Sequence, residues 1–307
     1  MKATYNPVVH RLAVFLVFWT VLLFVAGALV TSNDAALSVP DWPKSHGSWI
    51  PPLSTLRAGA LFEFSHRVMA GSLGIFMVIL AVLLWTRDRR PALRRFGVIA
   101  VFGVTIQAVL GGQVVIQLLH YWLPVIHACF AQIMFAAILS IALFTSQWWI
   151  SEQPQIEDRG TPSIHLVVFL NAAVIYLQVI LGAGFRHKEI PIWPHIVGAG
   201  VVLGTVIWTA VALRKRFGDS RELSKARVLL HAIVGVQILL GIGAWWSRVS
   251  TADAPQPMPV MVSLTVIHTV VGALLFGLGV TVVLLCYRLV PRKREALAPA
   301  QREATIS

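Results

Sequence analysis

Apolar residues dominate eight long runs of this chain, and short polar segments separate the runs. Each run has about 20 residues or more, the length that a helix needs to cross the hydrocarbon core of a bilayer. The predicted spans are Leu12–Thr31, Ala60–Trp85, Phe96–Ile116, Pro124–Trp148, Leu166–Phe185, Pro194–Leu213, Val228–Trp246 and Val262–Tyr287. Because a bilayer offers no water to backbone polar groups, and because the runs are solid rather than alternating, we expect helices. The first run exceeds a usual signal-peptide core, so we expect it to be retained.

Composition supports an all-α integral membrane protein. Of the 307 residues, 57% are hydrophobic and 12% are charged, about half the charged fraction of a soluble domain. The net charge of +12 comes from residues at the ends of the apolar runs, so it sets orientation and does not indicate nucleic-acid binding. Cys129 and Cys286 lie inside apolar runs far apart in sequence, a spacing that supports neither a disulfide nor a thiolate metal site.

The distribution of Lys and Arg predicts the direction of each span. Five arginines lie in 87–95 and six basic residues in 214–227, whereas the four alternate loops together hold five. Because positive residues concentrate on the cytoplasmic side, we expect both termini to be cytoplasmic, with 291–307 as a polar cytoplasmic tail.

The chain also repeats internally. A glutamine followed four residues later by a glycine recurs on spans three, five and seven, as Gln107 to Gly111, Gln178 to Gly182 and Gln237 to Gly241. We therefore predict two pseudo-symmetric four-helix bundles, an N-terminal half over 1–152 and a C-terminal half over 153–290. The alternative is that similar Leu and Gly patterns are common in membrane helices.

One histidine lies near the predicted outer start of each even-numbered span. These are His66, His127, His195 and His268. Since even-numbered spans all cross in the same direction, the four imidazoles should form one layer no more than about 10 Å deep. A metal-binding side chain inside a membrane is costly and indicates function, although a structural role would explain any single one. Facing histidines in a bundle can bind haem iron from both sides, so we predict two haem sites, His66 with His127 and His195 with His268.

Glu63 is the only acidic residue within a predicted span, and it precedes His66 by three residues on the same helix face. The equivalent positions of the C-terminal half hold Ile192 and Thr265. A partly buried carboxylate can exchange protons, so the half with the acid is predicted to carry the chemistry. The alternative is an ion pair between Glu63 and Arg67.

Other residues near the histidines suit a haem group less specifically. Arg67, Arg186 and Arg248 lie near outer helix ends and could pair with haem propionates, although solvated helix ends explain each of them equally well. Small residues that follow the histidines could leave space for a macrocycle, or could simply allow close helix packing. They are Ala128, Gly198, Ala199, Gly272 and Ala273.

Several motifs together resemble those of the haem A synthase family. They are Glu63-Phe-Ser-His66-Arg67, His127, Pro194-His195 and Ile267-His268-Thr-Val-Val-Gly272 on the even-numbered spans, with Gly27-Ala-Leu-Val-Thr31, Leu37-Ser-Val-Pro-Asp-Trp-Pro43 and His46-Gly47 before them. The resemblance covers nearly the whole chain, and its specificity comes from the combination of motifs rather than from any one of them.

The resemblance implies an oxidoreductase that converts haem O into haem A, by oxidising a ring methyl to a formyl group, for the maturation of haem-copper oxidases. The N-terminal half would hold the substrate haem between His66 and His127. The C-terminal half would hold haem b as the cofactor between His195 and His268. Glu63 would act at the reacting methyl as a proton acceptor or cation stabiliser. Expected partners are the bilayer of a bacterial plasma membrane, haem O synthase, cytochrome oxidase assembly proteins and a second copy of this chain.

Two other functions remain open at this point. A di-haem b electron-transfer cytochrome would need the four histidines but not Glu63, and a transporter would need carboxylates near mid-membrane, where the sequence has none. The chain also departs from the family in one respect. Many members carry a cysteine pair in the first outer loop, where Val39 and Ser45 stand here, so a disulfide or thiol step in that loop is excluded.

Overall fold

The computed structural model describes residues 4–291, so the predicted tail over 291–307 lies outside the described residues except for Pro291. Eight long helices, labelled α1 to α8 in chain order, make up most of this region. They are Pro7–Ser32, Gly59–Arg87, Pro91–Ile116, Leu123–Thr145, Ile164–Arg186, Trp193–Phe217, Arg221–Ser250 and Pro259–Leu289. All eight are long and apolar enough to cross a membrane, which confirms the predicted helical fold and number of spans.

Prolines and capping side chains set where the helices begin. Proline occupies one of the first two positions of α1, α3, α4, α6 and α8, where its missing N–H would have no partner in the helix anyway. Asn6 caps α1 by accepting hydrogen bonds from the backbone N–H groups of Val8 and Val9 at 3.1 and 3.2 Å. Ser163 and Ser220 cap α5 and α7 in the same way. These caps lie outside the apolar runs, so several helices extend beyond the predicted spans.

The fourth span ends earlier than predicted. The apolar run continues to Trp148, but α4 ends at Thr145. The side chain of Ser146 then accepts a hydrogen bond from the N–H of Trp149 at 3.1 Å and begins a separate four-residue helix, Gln147–Ile150. A serine that can cap a new helix start therefore interrupts a run that hydrophobicity alone would continue.

Within each half, the long helices contact one another in a closed ring. In the N-terminal half α1 contacts α2 and α4, and α3 also contacts both; α5 to α8 repeat this pattern. The halves meet where α8 packs against α1 and α4, and where α4 contacts α5. This arrangement is consistent with the predicted pair of pseudo-symmetric four-helix bundles.

Glycine on α8 allows the two halves to approach closely. A Cβ atom added at Gly277 would lie 2.7 Å from the ring of Phe135 on α4, so only glycine fits there without displacing the ring. Nearer the histidines, Val262 and Val266 of α8 pack with Ala28 of α1 in a small buried cluster. The two halves therefore share a packed interface that fixes their histidine-bearing ends relative to each other.

Candidate functional site

Each of the four predicted histidines lies near the start of its helix and packs against a glycine of the preceding long helix. A Cβ atom added to that glycine would lie 2.9 to 3.1 Å from Cε1 of the imidazole. The pairs are Gly27 with His66, Gly111 with His127, Gly182 with His195, and Gly241 with His268. Real Cβ contacts are rarely this short, so glycine allows each ring to lie against the neighbouring helix. The fourth contact, at Gly27, was not recognised in the sequence.

The glutamines of the internal repeat contact the same imidazoles. Nε2 of Gln107 lies 3.2 Å from Nδ1 of His127, and Nε2 of Gln178 lies 3.0 Å from Nδ1 of His195. On α7 the carbonyl oxygen of Gln237 lies 3.2 Å from Nδ1 of His268, and Nε2 of Gln237 lies 3.4 Å from Nε2 of the same ring. The repeat therefore marks the place where each odd-numbered helix holds the histidine of the next helix.

The small residues after the histidines make room for these glutamines. A Cβ atom at Gly272 would lie 2.9 Å from Nε2 of Gln237, and one at Gly198 would collide with Oε1 of Gln178. At Gly198 and Gly272 the structure therefore shows close helix packing rather than space for a macrocycle.

The structure brings the histidines together in the predicted pairs. The rings of His195 and His268 have centroids 6.3 Å apart and lie nearly perpendicular, at 86°. His66 and His127 are close enough to interact electrostatically. The two helices of each pair lie opposite each other in the ring of a single half.

Glu63 and Arg67 form an ion pair at the start of α2. Glu63 is buried, with 3% of its surface exposed, and its Oε1 lies 2.5 Å from Nη2 of Arg67. Its Oε2 accepts a hydrogen bond from the backbone N–H of Val39 at 2.9 Å. The ion pair that was the alternative explanation for Glu63 is therefore present, and it fixes the carboxylate three residues before His66.

Arg67 also holds the first long loop, residues 33–58. Its Nη1 donates to the carbonyls of Asp41 at 2.6 Å and Lys44 at 2.9 Å, with the Ser45 hydroxyl 3.4 Å away. Its Nη2 donates to the carbonyl of Val39 at 3.0 Å. These acceptors engage both terminal nitrogens, so a propionate would have to replace one of them. That role for Arg67 stays a prediction.

The loop itself has a fixed shape over the N-terminal half. The carboxylate of Asp41 accepts hydrogen bonds from the backbone N–H groups of His46 and Gly47 at 2.7 and 2.8 Å. Burial alone would raise the pKa of Asp41, but these hydrogen bonds outweigh it and lower the pKa below its usual value. The ring of Trp42 lies directly on Gly112 of α3, where an added Cβ would approach it to 2.5 Å. Trp42 therefore packs into the bundle, whereas Trp49 is exposed.

Arg186 and Arg248 place positive charge next to the second histidine pair. Arg186 ends α5 and donates a hydrogen bond to the Ser32 hydroxyl at the end of α1, at 2.7 Å. It repels Arg248 and attracts Asp34 electrostatically, and it also acts on His268. Two like charges at close range favour an anion between them.

His187 lies near His127 of the first pair although it belongs to the C-terminal half. Burial, together with the neighbouring Arg186 and His127, lowers the pKa of His187 to about 4. It has no repeat partner, so no pattern in the sequence indicated this position.

Comparison with known proteins finds sequence similarity to haem A synthases. Residues 2–139 match the family model described as cytochrome oxidase assembly protein. Haem A synthase of Listeria welshimeri is 24% identical over 260 residues, which cover 74% of this chain and 84% of the relative. That of Listeria monocytogenes is 28% identical over 194 residues, 59% of this chain and 63% of the relative. That of Lysinibacillus sphaericus is 23% identical over 300 residues, 87% of this chain and 89% of the relative. The chain is similar to haem A synthases over most of its length.

The similarity to haem A synthases extends over both halves. The family model covers the segment with Glu63, His66 and His127, and the similarity to the Lysinibacillus haem A synthase also reaches into the C-terminal half. The similarity therefore does not rest on the N-terminal motifs alone.

Proposed function

We propose that this chain is a haem A synthase that oxidises a ring methyl of haem O to the formyl group of haem A, with haem b as its cofactor. One observation carries the proposal. In a chain similar to haem A synthases, two histidine pairs lie at equivalent places in the two halves, and within residues 4–291 only the His66 pair has a buried carboxylate, Glu63, on the same helix face. Two equivalent electron-transfer haems would not by themselves require an acid beside one of them.

The spacing of the C-terminal pair supports a haem site. Metal–nitrogen bonds of about 2 Å on both faces of one iron place two imidazole centres roughly 6 Å apart, and the His195 and His268 centroids are 6.3 Å apart. The buried Oε1 atoms of Gln178 and Gln237 have no hydrogen-bond partner. A histidine that binds iron through Nε2 carries its proton on Nδ1. With the Gln178 amide rotated by 180°, Oε1 takes the place of Nε2 beside Nδ1 of His195 and accepts this N–H.

In this proposal the residues of the C-terminal half hold the cofactor. His195 and His268 would ligate haem b, and Arg186 and Arg248 would pair with its propionates. When bound, haem b supplies one-electron redox chemistry.

The residues of the N-terminal half would hold and act on the substrate. His66 and His127 would orient haem O within the bundle, and Glu63 would face the reacting methyl as proton acceptor or cation stabiliser. Each Glu63 oxygen accepts one hydrogen bond, which fixes the position of the carboxylate. The remaining lone pairs of the two oxygens would act on the substrate.

We also propose the cellular setting. The eight helices would lie in a bacterial plasma membrane with both termini in the cytoplasm. Haem O synthase and cytochrome oxidase assembly proteins are the expected partners, and a homo-oligomer is expected as well.

The competing function is a di-haem b electron-transfer cytochrome. Expression with a source of haem O, followed by haem extraction and mass analysis, separates the two. We expect haem A and haem O beside haem b. Haem b alone, at two sites per chain, would reject the synthase and support the cytochrome.

The glycine contacts give a steric test of the cofactor site. We expect Gly241→Ala to reduce the haem b content of the purified protein severalfold, because the new Cβ would lie 2.9 Å from His268 and displace the ring from the iron. Gly235→Ala on the same helix meets no atom within 4 Å and should keep its haem. Equal haem content in the two variants, measured by pyridine haemochrome, would contradict this assignment.

A further inference from the structure

The four histidine rings are not held alike. On α3, α5 and α7, a glutamine stands four residues before the contacting glycine and hydrogen-bonds the ring through its side chain or its carbonyl. On α1 the same position, four residues before Gly27, is Leu23, whose side chain has no polar atom.

His66 therefore lacks the support that the other three rings have. Its Nδ1 is buried without a hydrogen-bond partner. The backbone of Leu23 faces the ring, as the backbone of the corresponding glutamine faces each of the other three rings, but its carbonyl lies outside hydrogen-bond geometry to Nδ1. Of the four histidines, only His66 has a buried ring nitrogen without a hydrogen-bond partner within residues 4–291.

This difference matters for a metal ligand. A ligating histidine usually donates its second ring N–H to an acceptor, which fixes the ring and makes the ligand more basic; losing that partner typically weakens metal binding about 10- to 100-fold. An iron held between His66 and His127 would therefore have one supported and one unsupported ligand.

We infer that His66 is the exchangeable ligand of the haem held between His66 and His127, so that a small external ligand binds the iron on the α2 side. The inference rests on the proposed function. The exchange breaks one iron–nitrogen bond and forms one bond to the incoming ligand, with no transfer of electrons or protons. Since Glu63 and His66 share a face of α2, the coordination position opens on the side of the acid.

Carbon monoxide is the probe for this exchange. The reduced, full-length protein, loaded with haem O and haem b, is titrated with carbon monoxide and followed by absorption. In the unaltered protein we expect binding at the haem O site and none at haem b, where both ligands are supported. Leu23→Gln supplies the missing amide and should weaken carbon monoxide binding roughly 10-fold or more. Leu23→Met, which has similar length but no amide, is the matched control and should bind like the unaltered protein.

A second variant tests the same principle at the other haem. Gln178→Leu removes the amide beside His195, and we expect haem b to acquire carbon monoxide binding. This variant decides the question if Leu23→Gln does not fold: a folded Gln178→Leu whose haem b still excludes carbon monoxide overturns the inference.

The outcomes separate this inference from the proposed function. Absence of any haem O between His66 and His127 would reject the proposed function itself. Haem O that is present, but whose affinity for carbon monoxide is the same in Leu23→Gln as in the unaltered protein, would reject the inference alone. Tightening in Gln107→Leu together with no change in Leu23→Gln would assign the exchange to His127 instead.

Discussion

Replacing His268 by alanine is expected to remove nearly all of the haem b from the purified protein, and His195→Ala should do the same. In the proposed site, each variant would remove one of the two histidines that hold haem b. The measurement is the low-spin absorption spectrum of the reduced protein, together with haem b per chain. The haem held by His66 and His127 should be retained, because the two pairs lie in separate halves.

The control for this prediction is His165→Ala. His165 lies at the start of α5, the opposite end of that helix from Arg186, and its ring contacts the backbone carbonyl of Val290 at 3.0 Å. Removing this ring should leave the spectrum unchanged. A full low-spin haem b signal in either His195→Ala or His268→Ala would show that this pair does not ligate haem b.

The second large effect is expected at Glu63. We expect Glu63→Gln to retain haem O and haem b but to lower the yield of haem A about 100-fold or more, in the range of a lost acid–base or charge-stabilising group. Glutamine keeps the shape of the side chain and can still accept the hydrogen bond from Val39, so the loop over 33–58 should stay in place. The measurement is extracted haem A per chain, with bound haem O determined on the same sample.

Because Glu63 also pairs with Arg67, the experiment needs a variant that disturbs the pair and keeps the acid. Arg67→Gln does this. If Glu63 serves only to hold the loop, the two variants should lose product to the same extent. If it acts on the substrate, Glu63→Gln should lose far more product at comparable haem O content. A normal yield from Glu63→Gln would remove Glu63 from the chemistry altogether.

Hydrophobic pattern and charge were sufficient to predict the helices, because a bilayer leaves the backbone almost no other choice. Of the long helices in 4–291, α4 is the one that stops short of its predicted span, and Ser146 marks the place. A capping hydrogen bond ended the helix inside an apolar run that continues to Trp148, and hydropathy does not report such a bond.

The histidine pairs were also predictable, since their positions recur in both halves. What the sequence did not reveal is how the rings are held. The sequence shows the glutamine and glycine repeat on α3, α5 and α7. The equivalent contact on α1 could not be recognised, because Leu23 takes the place of the glutamine four residues before Gly27. The contacts of Arg67 were invisible for a different reason. Most of its acceptors are backbone carbonyls, which every residue carries.

The attachment of the first loop has a consequence for its chemical durability. Val39 and Ser45, which stand where many relatives carry cysteines, are both buried and both within reach of the Arg67 guanidinium. A covalent sulfur bridge opens when the surrounding thiol pool becomes sufficiently reducing. Hydrogen bonds from a guanidinium to carbonyl oxygens have no reduction potential. The loop therefore stays attached to Arg67 whatever the redox state of the compartment.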